Sequence, residues 1–180
     1  MAIAGDWGTG TDEAQHVTSV MKEKHNPDYT IHLGDVYYVG DQPELEENCL
    51  GHDGPLINNV IAKGVKWELG TKGSFALNGN HEMYACGDAY FEKFLPKLGM
   101  LDPAGNPQGQ KSSFFCLKNK YWRIVGLDTG YYSTGIRTVL SFLSRIIPRS
   151  SFPQPFCCRT TNTIRASMTG IRYQDSNSVG

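Results

Sequence analysis

Ser74-Phe75-Ala76-Leu77, followed at once by Asn78-Gly79-Asn80-His81-Glu82, decides how this chain is read. The first four residues have the length and apolar character of a buried strand. The glycine-bearing turn after them sets an amide, an imidazole and a carboxylate side by side. Two earlier stretches repeat the form. Ala2-Ile3-Ala4 runs into Gly5-Asp6-Trp7-Gly8-Thr9-Gly10, and Tyr29-Thr30-Ile31-His32-Leu33 runs into Gly34-Asp35. Each is a short apolar strand ending on an acid or amide where glycine lets the backbone approach a ligand closely. Taken singly, each has a plainer explanation: Asp in a glycine turn is a common turn former, and Asn80 could merely cap a helix. The repetition in this order is what points to a site. Ligands of open α/β sheets bind beyond the carboxyl ends of the strands, so Asp6, Asp35 and Asn80 are expected to converge. Carboxylate and amide oxygens are hard donors suited to divalent or trivalent cations. Two such ions, roughly 3.5–4 Å apart, can clamp the attacking and leaving oxygens of a displacement at phosphorus.

Outward from these turns, residues 12–24 read as a helix with Ala14, Val17, Val20 and Met21 on one face, Thr11 as its cap and Asn26-Pro27 as its stop. Residues 41–59 are acidic and irregular, and a helix is expected around 56–63. A further helix over 88–98, bent at Pro96, leads through a Pro/Gly/Asn-rich loop to 110. Residues 113–117 and 121–125 flank Lys118-Asn119-Lys120 as a hairpin. The order is βαβαβα plus a β-hairpin, an α/β domain with a largely parallel sheet and a second sheet begun by the hairpin.

The quoted turns resemble the first blocks of the calcineurin-like metallophosphoesterases. Gly5-Asp6-Trp7-Gly8 is similar to GDxG, Gly34-Asp35-Val36-Tyr37-Tyr38 to GDxxY, and Gly79-Asn80-His81-Glu82 to the third block. Tyr38, three residues after Asp35, fits the purple acid phosphatase-like branch. The resemblance runs over residues 2–135, including the hairpin and Gly126-Leu127-Asp128-Thr129, and implies a partial metallophosphoesterase-type α/β sandwich. It also implies an acid phosphatase-like, metal-dependent phosphoester hydrolase with a binuclear centre of Fe, Zn or Mn and a metal-bound hydroxide as nucleophile. Asp6 would hold the first ion, Asp35 would bridge both, Tyr38 would give the first a phenolate that favours ferric iron, and Asn80 would hold the second. His81 would stand beside the phosphate, with Glu82 accepting from it to orient it. A small phosphate ester or a phosphopeptide would be the substrate. The family completes its site with C-terminal histidines, whereas no histidine follows His81 here. Binding of the second ion, and with it activity, is therefore expected to be impaired. The alternative is a catalytically silent product that binds one metal or a protein partner.

The chain of 180 residues suits one domain, and a net charge of −1 argues against general nucleic-acid binding. No apolar run is long enough for a membrane span, and the first residues lack the form of a signal peptide. Cytoplasmic localisation is the default expectation, and the short strand before Asp6 reads as a chain trimmed at both ends. Cys49, Cys86, Cys116, Cys157 and Cys158 form no chelating pattern and are expected as buried free thiols. His16, His25, His32 and His52 are expected on the surface or satisfied in the core. Residues 136–180 differ from the rest: the ten lysines all lie at or before Lys120, six of the seven arginines lie from Arg137 on, and Asp175 is the one acid. The boundary is accordingly set between 135 and 136. A reading-frame or splicing artefact and a genuine basic extension both fit the tail.

Overall fold

The structure is a computed structural model that describes residues 1–130 and the strand 163–168. Its central sheet has four strands, in the order Ala2–Ala4, Tyr29–His32, Gly73–Ala76 and Gly99–Met100. Strands β1 (Ala2–Ala4), β2 (Tyr29–His32) and β5 (Gly73–Ala76) run parallel, and the short β6 (Gly99–Met100) joins β5 antiparallel. The register Ala4↔His32↔Ala76 ends all three parallel strands at one level, so the three glycine turns leave the sheet side by side.

Side chains alternate across these strands, as the pleat requires. Ile31 of β2 and Phe75 of β5, with Leu77 just beyond, pack against Phe115 under the second sheet. His32 and Ala76 face the opposite way. There Trp7, Met21, Val36, Leu45, Trp67 and Phe94 build the larger core beneath the helices. Helix α1 (Asp12–Val20) continues through a wider turn, Met21–His25, and buries Ala14, Thr18 and Met21, while Val17 is exposed. Thr11 holds the capping position but makes no capping hydrogen bond. Helix α2 (Gln42–Asn48) is capped by Asp41, whose carboxylate accepts from the Glu44 amide at 3.1 Å.

The helix expected at 56–63 is instead a hairpin of β3 (Leu56–Ile57) and β4 (Val60–Ile61). Asn58 and Asn59 both take positive φ, 52° and 63°. That is the two-residue turn that twists with its strands, and Asn tolerates it better than most residues. Helix α3 (Asn80–Tyr84) follows β5 directly. The helix expected at 88–98 resolves into two short turns, Tyr90–Phe94 and Leu95–Lys97.

The second sheet orders β7 (Phe115–Lys118), β8 (Trp122–Leu127) and β9 (Thr163–Met168), all antiparallel. The segment set apart as a tail thus contributes one strand to the sandwich. The remainder of 136–180, with Cys157 and Cys158, lies outside the described residues, as does the boundary at 135. Cys49 is buried and burial pushes its thiol up, but Cys86 is exposed, against expectation. No helix among the described residues is long and apolar enough to cross a membrane.

Candidate active site

The turn after β2 and the turn after β5 touch through their main chains. A Cβ on Gly34, whose φ is +94°, would overlap the Gly79 amide nitrogen, and one on Gly79 would overlap Asp35 Oδ1. Only glycine at both positions permits this approach. The turn after β1 joins them through the Asp6 amide, which donates to the Gly34 carbonyl at 3.1 Å. Asp35 Oδ1 accepts from the His81 amide at 3.2 Å, next to Asn80. The turn bearing Asp6, the turn bearing Asp35 and the start of α3 at Asn80 therefore abut.

Asp6 and Asp35 both take left-handed φ, 53° and 70°. Aspartate is among the few residues that visit this region, since its short polar side chain can bond locally. Two carboxylates brought close together without a cation are mutually unfavourable. Among the described residues, no ion pair involves Asp6, Asp35 or Glu82. The Tyr37 hydroxyl donates to Asp6 Oδ1 at 2.6 Å. That hydrogen bond pushes its pKa well above the ordinary tyrosine range, with burial and the charges of Asp6, Asp35 and Glu82 adding to it.

The phenol beside Asp6 is thus that of Tyr37. The Tyr38 ring, singled out by its offset from Asp35, projects outward and is 78% exposed. Sequence reasoning gave Tyr37 no role; its adjacency to Tyr38 was the available signal, and only the turn geometry separates the two.

Glu82 is 1% exposed. Its Oε2 accepts from the Gly79 amide at 2.6 Å and the Asp35 amide at 3.2 Å, and Oε1 accepts from the Val36 amide at 2.9 Å. This corrects the expected role: Glu82 ties two loops together through their amides instead of orienting the His81 ring. Burial pushes its carboxyl pKa up, and the amides oppose that shift. The His81 ring is oriented by the Tyr38 carbonyl, 2.6 Å from Nδ1. A carbonyl can only accept, so Nδ1 carries the proton and Nε2 is left to give or take one. Asn80 Nδ2 donates to the Tyr84 hydroxyl at 2.7 Å, which turns the amide's oxygen end away from that ring.

Behind Gly79, both amide atoms of the fully buried Asn78 and the Thr129 hydroxyl have no hydrogen-bond partner among the described residues. Buried polar atoms of this kind commonly hold water or another ligand. Trp7, beside Asp6, is buried and donates its indole N–H to the Ala14 carbonyl at 2.9 Å, a packing role. His16, His25 and His52 are exposed and stand in no metal-binding cluster.

The donors fit hard cations in type, with two carboxylates, an amide oxygen and a phenol. They are not a complete set, because among the described residues no group of three or more His, Cys, Asp or Glu side chains could hold a metal ion. No curated protein and no solved structure matches the chain. The sequence model of the calcineurin-like phosphoesterases matches residues 1–149, which cover the three glycine turns, the central sheet and the hairpin of the second sheet. The chain belongs to the calcineurin-like phosphoesterase family.

Proposed function

We propose that the chain is a metal-dependent phosphoester hydrolase of the acid phosphatase-like branch, with a binuclear centre above the carboxyl ends of β1, β2 and β5. The observation that carries this reading is the pair Asp6 and Asp35, left without cationic partners among the described residues and joined to Asn80 by the contact of their loops. Asp6 would hold one cation, Asp35 both, and Asn80 the other through its oxygen, with Fe, Zn and Mn as candidates. Cations there supply Lewis acidity toward phosphoryl oxygens and acidify water. We assign the phenolic ligand to Tyr37 in place of Tyr38, because the Tyr37 hydroxyl already meets Asp6. His81, held at Nδ1 by the Tyr38 carbonyl, offers Nε2 to the leaving oxygen as a proton donor. Glu82 keeps the Asp35 and Gly79 amides, and so the two metal-bearing loops, at fixed separation.

A second reading is a single-ion binder without turnover, favoured by the lack of any histidine after His81. Calorimetric titration with each metal, run beside hydrolysis of a chromogenic phosphate monoester, separates the two. Two ions bound with turnover that is lost in Asp35→Asn supports the hydrolase. One ion without turnover supports the second reading, and binding that survives Asp35→Asn overturns both.

A further inference from the structure

We propose that the ring row Tyr38, Tyr37, His81 and Tyr84 makes this site select phosphoesters that carry a planar ring next to the phosphate. The inference rests on the hydrolase reading and names its substrate class. The rings follow one another at centroid separations of 6.3 Å, 4.3 Å and 5.1 Å, on residues that come shortly after Asp35 and Asn80 in the chain. The two ends of the row stand open: Tyr38 is 78% exposed and Tyr84 61%.

Neither end is a stray surface residue. The Tyr84 hydroxyl bonds Asn80 Nδ2 at 2.7 Å, which fixes that ring beside a candidate metal ligand. The Tyr38 carbonyl holds His81 Nδ1 at 2.6 Å, so backbone and catalytic imidazole are locked together. The chain just past Tyr38 is clamped as well. Glu44 Oε2 accepts from the Val39 and Gly40 amides at 2.8 and 2.9 Å, and Glu44 sits on α2 under the Asp41 cap. The Tyr38 side chain itself makes no hydrogen bond among the described residues. Its ring meets that of Tyr37.

A rigid backbone that holds an unburied aromatic face beside a phosphate site is a preformed stacking platform. Rings prefer offset-stacked or edge-to-face partners, and a platform ordered in advance loses little entropy on binding. Nucleobases and aryl esters present the same flat face; aliphatic phosphates present none.

The test pairs esters that differ in the ring. Adenosine 5′-monophosphate against ribose 5-phosphate keeps the leaving oxygen alike, and a phosphotyrosine peptide against its phosphoserine counterpart probes an aryl ester. Binding to the metal-loaded chain is measured by calorimetry, with turnover followed in parallel. In at least one pair the ring-bearing member is expected to bind about tenfold tighter, the scale of one base stacked on one aromatic. Preference in the first pair alone identifies a nucleobase, and in the second alone an aryl ester. Tyr38→Ala should collapse the ratio, and Tyr38→Phe should restore it; a structural role would weaken both members alike and leave the ratio unchanged. Equal binding within both pairs, or a preference that survives Tyr38→Ala, overturns the proposal. Ring-selective binding with no turnover refutes the hydrolase reading and leaves the selectivity standing.

Discussion

His32 allows the most quantitative prediction. Its ring is buried, Nδ1 accepts from the Gly34 amide at 2.9 Å, and the rings of Trp67, Phe94 and Trp7 surround it in T-shaped contacts at centroid separations of 4.9, 5.5 and 5.9 Å. Nδ1 is an acceptor, so the ring is neutral with its proton on Nε2, which has no hydrogen-bond partner among the described residues. Burial lowers its pKa from 6.5 to about 4, and the Asp6 charge only partly opposes this. Between pH 6.5 and about 4 the unfolded chain binds a proton on this residue and the native chain does not. Stability is therefore lost as pH falls through that window, and this residue takes nothing further below it. At about 1.4 kcal/mol per unit, the whole window is on the order of 3 kcal/mol, and pH 7 to pH 5 costs about 2 kcal/mol. Urea unfolding of wild type and His32→Asn at both pH values, in excess chelator, isolates this contribution. Asn can still accept the Gly34 amide but carries no titrating proton, so its pH dependence should be shallower by about 2 kcal/mol. Equal slopes in the two proteins would refute the buried neutral imidazole.

Glu82→Gln exchanges a carboxylate oxygen for an amide N–H facing main-chain donors. It should cost about 2–4 kcal/mol of stability by chemical denaturation and weaken cation binding about 10–100-fold by calorimetry. Gly79→Ala drives a methyl into Asp35 Oδ1 without removing any candidate ligand side chain. Cation affinity should fall roughly 10–100-fold while the circular dichroism of the fold is retained. The Gln110 side chain completes β5 where β6 stops, with Oε1 accepting from the Ala76 amide and Nε2 donating to the Ala76 carbonyl, both at 2.8 Å. Gln110→Leu strands that amide, but the carbonyl keeps the Tyr90 hydroxyl at 3.1 Å. The expected loss of stability in thermal unfolding is about 1–3 kcal/mol.

The three glycine turns were legible because strand, glycine and an acid or amide follow closely in the chain, so local pattern alone orders them. The parallel sheet follows from the same repetition. What escaped was set by direction and by distance. Asn58-Asn59 is a hairpin signal that a short apolar, helix-like count over 56–63 concealed. Tyr37 and Tyr38 are chemically identical neighbours, and the turn alone determines which phenol reaches Asp6. Glu82 was recognised as a supporting residue, but its true partners include Asp35 and Val36, more than forty positions earlier. No spacing rule reads such a contact. The pleat sets His32 on the face opposite Ile31, but the aromatic walls around it come from other elements, which no local pattern supplies.

The left-handed conformations of Asp6 and Asp35 tie these observations together. A strand that simply ended would keep its side chains alternating between the two faces of the sheet. A left-handed residue at the strand end breaks that alternation and re-aims the carboxylate away from both cores. Such a conformation persists where the surroundings over-determine it. Here the surroundings are main-chain contacts: the Glu82 clamp on Asp35, Val36 and Gly79, the Gly34–Gly79 approach, and the Asp6 amide on the Gly34 carbonyl. None of them requires a cation. The turns that carry the two carboxylates are therefore fixed against one another by the fold itself, through main-chain contacts alone.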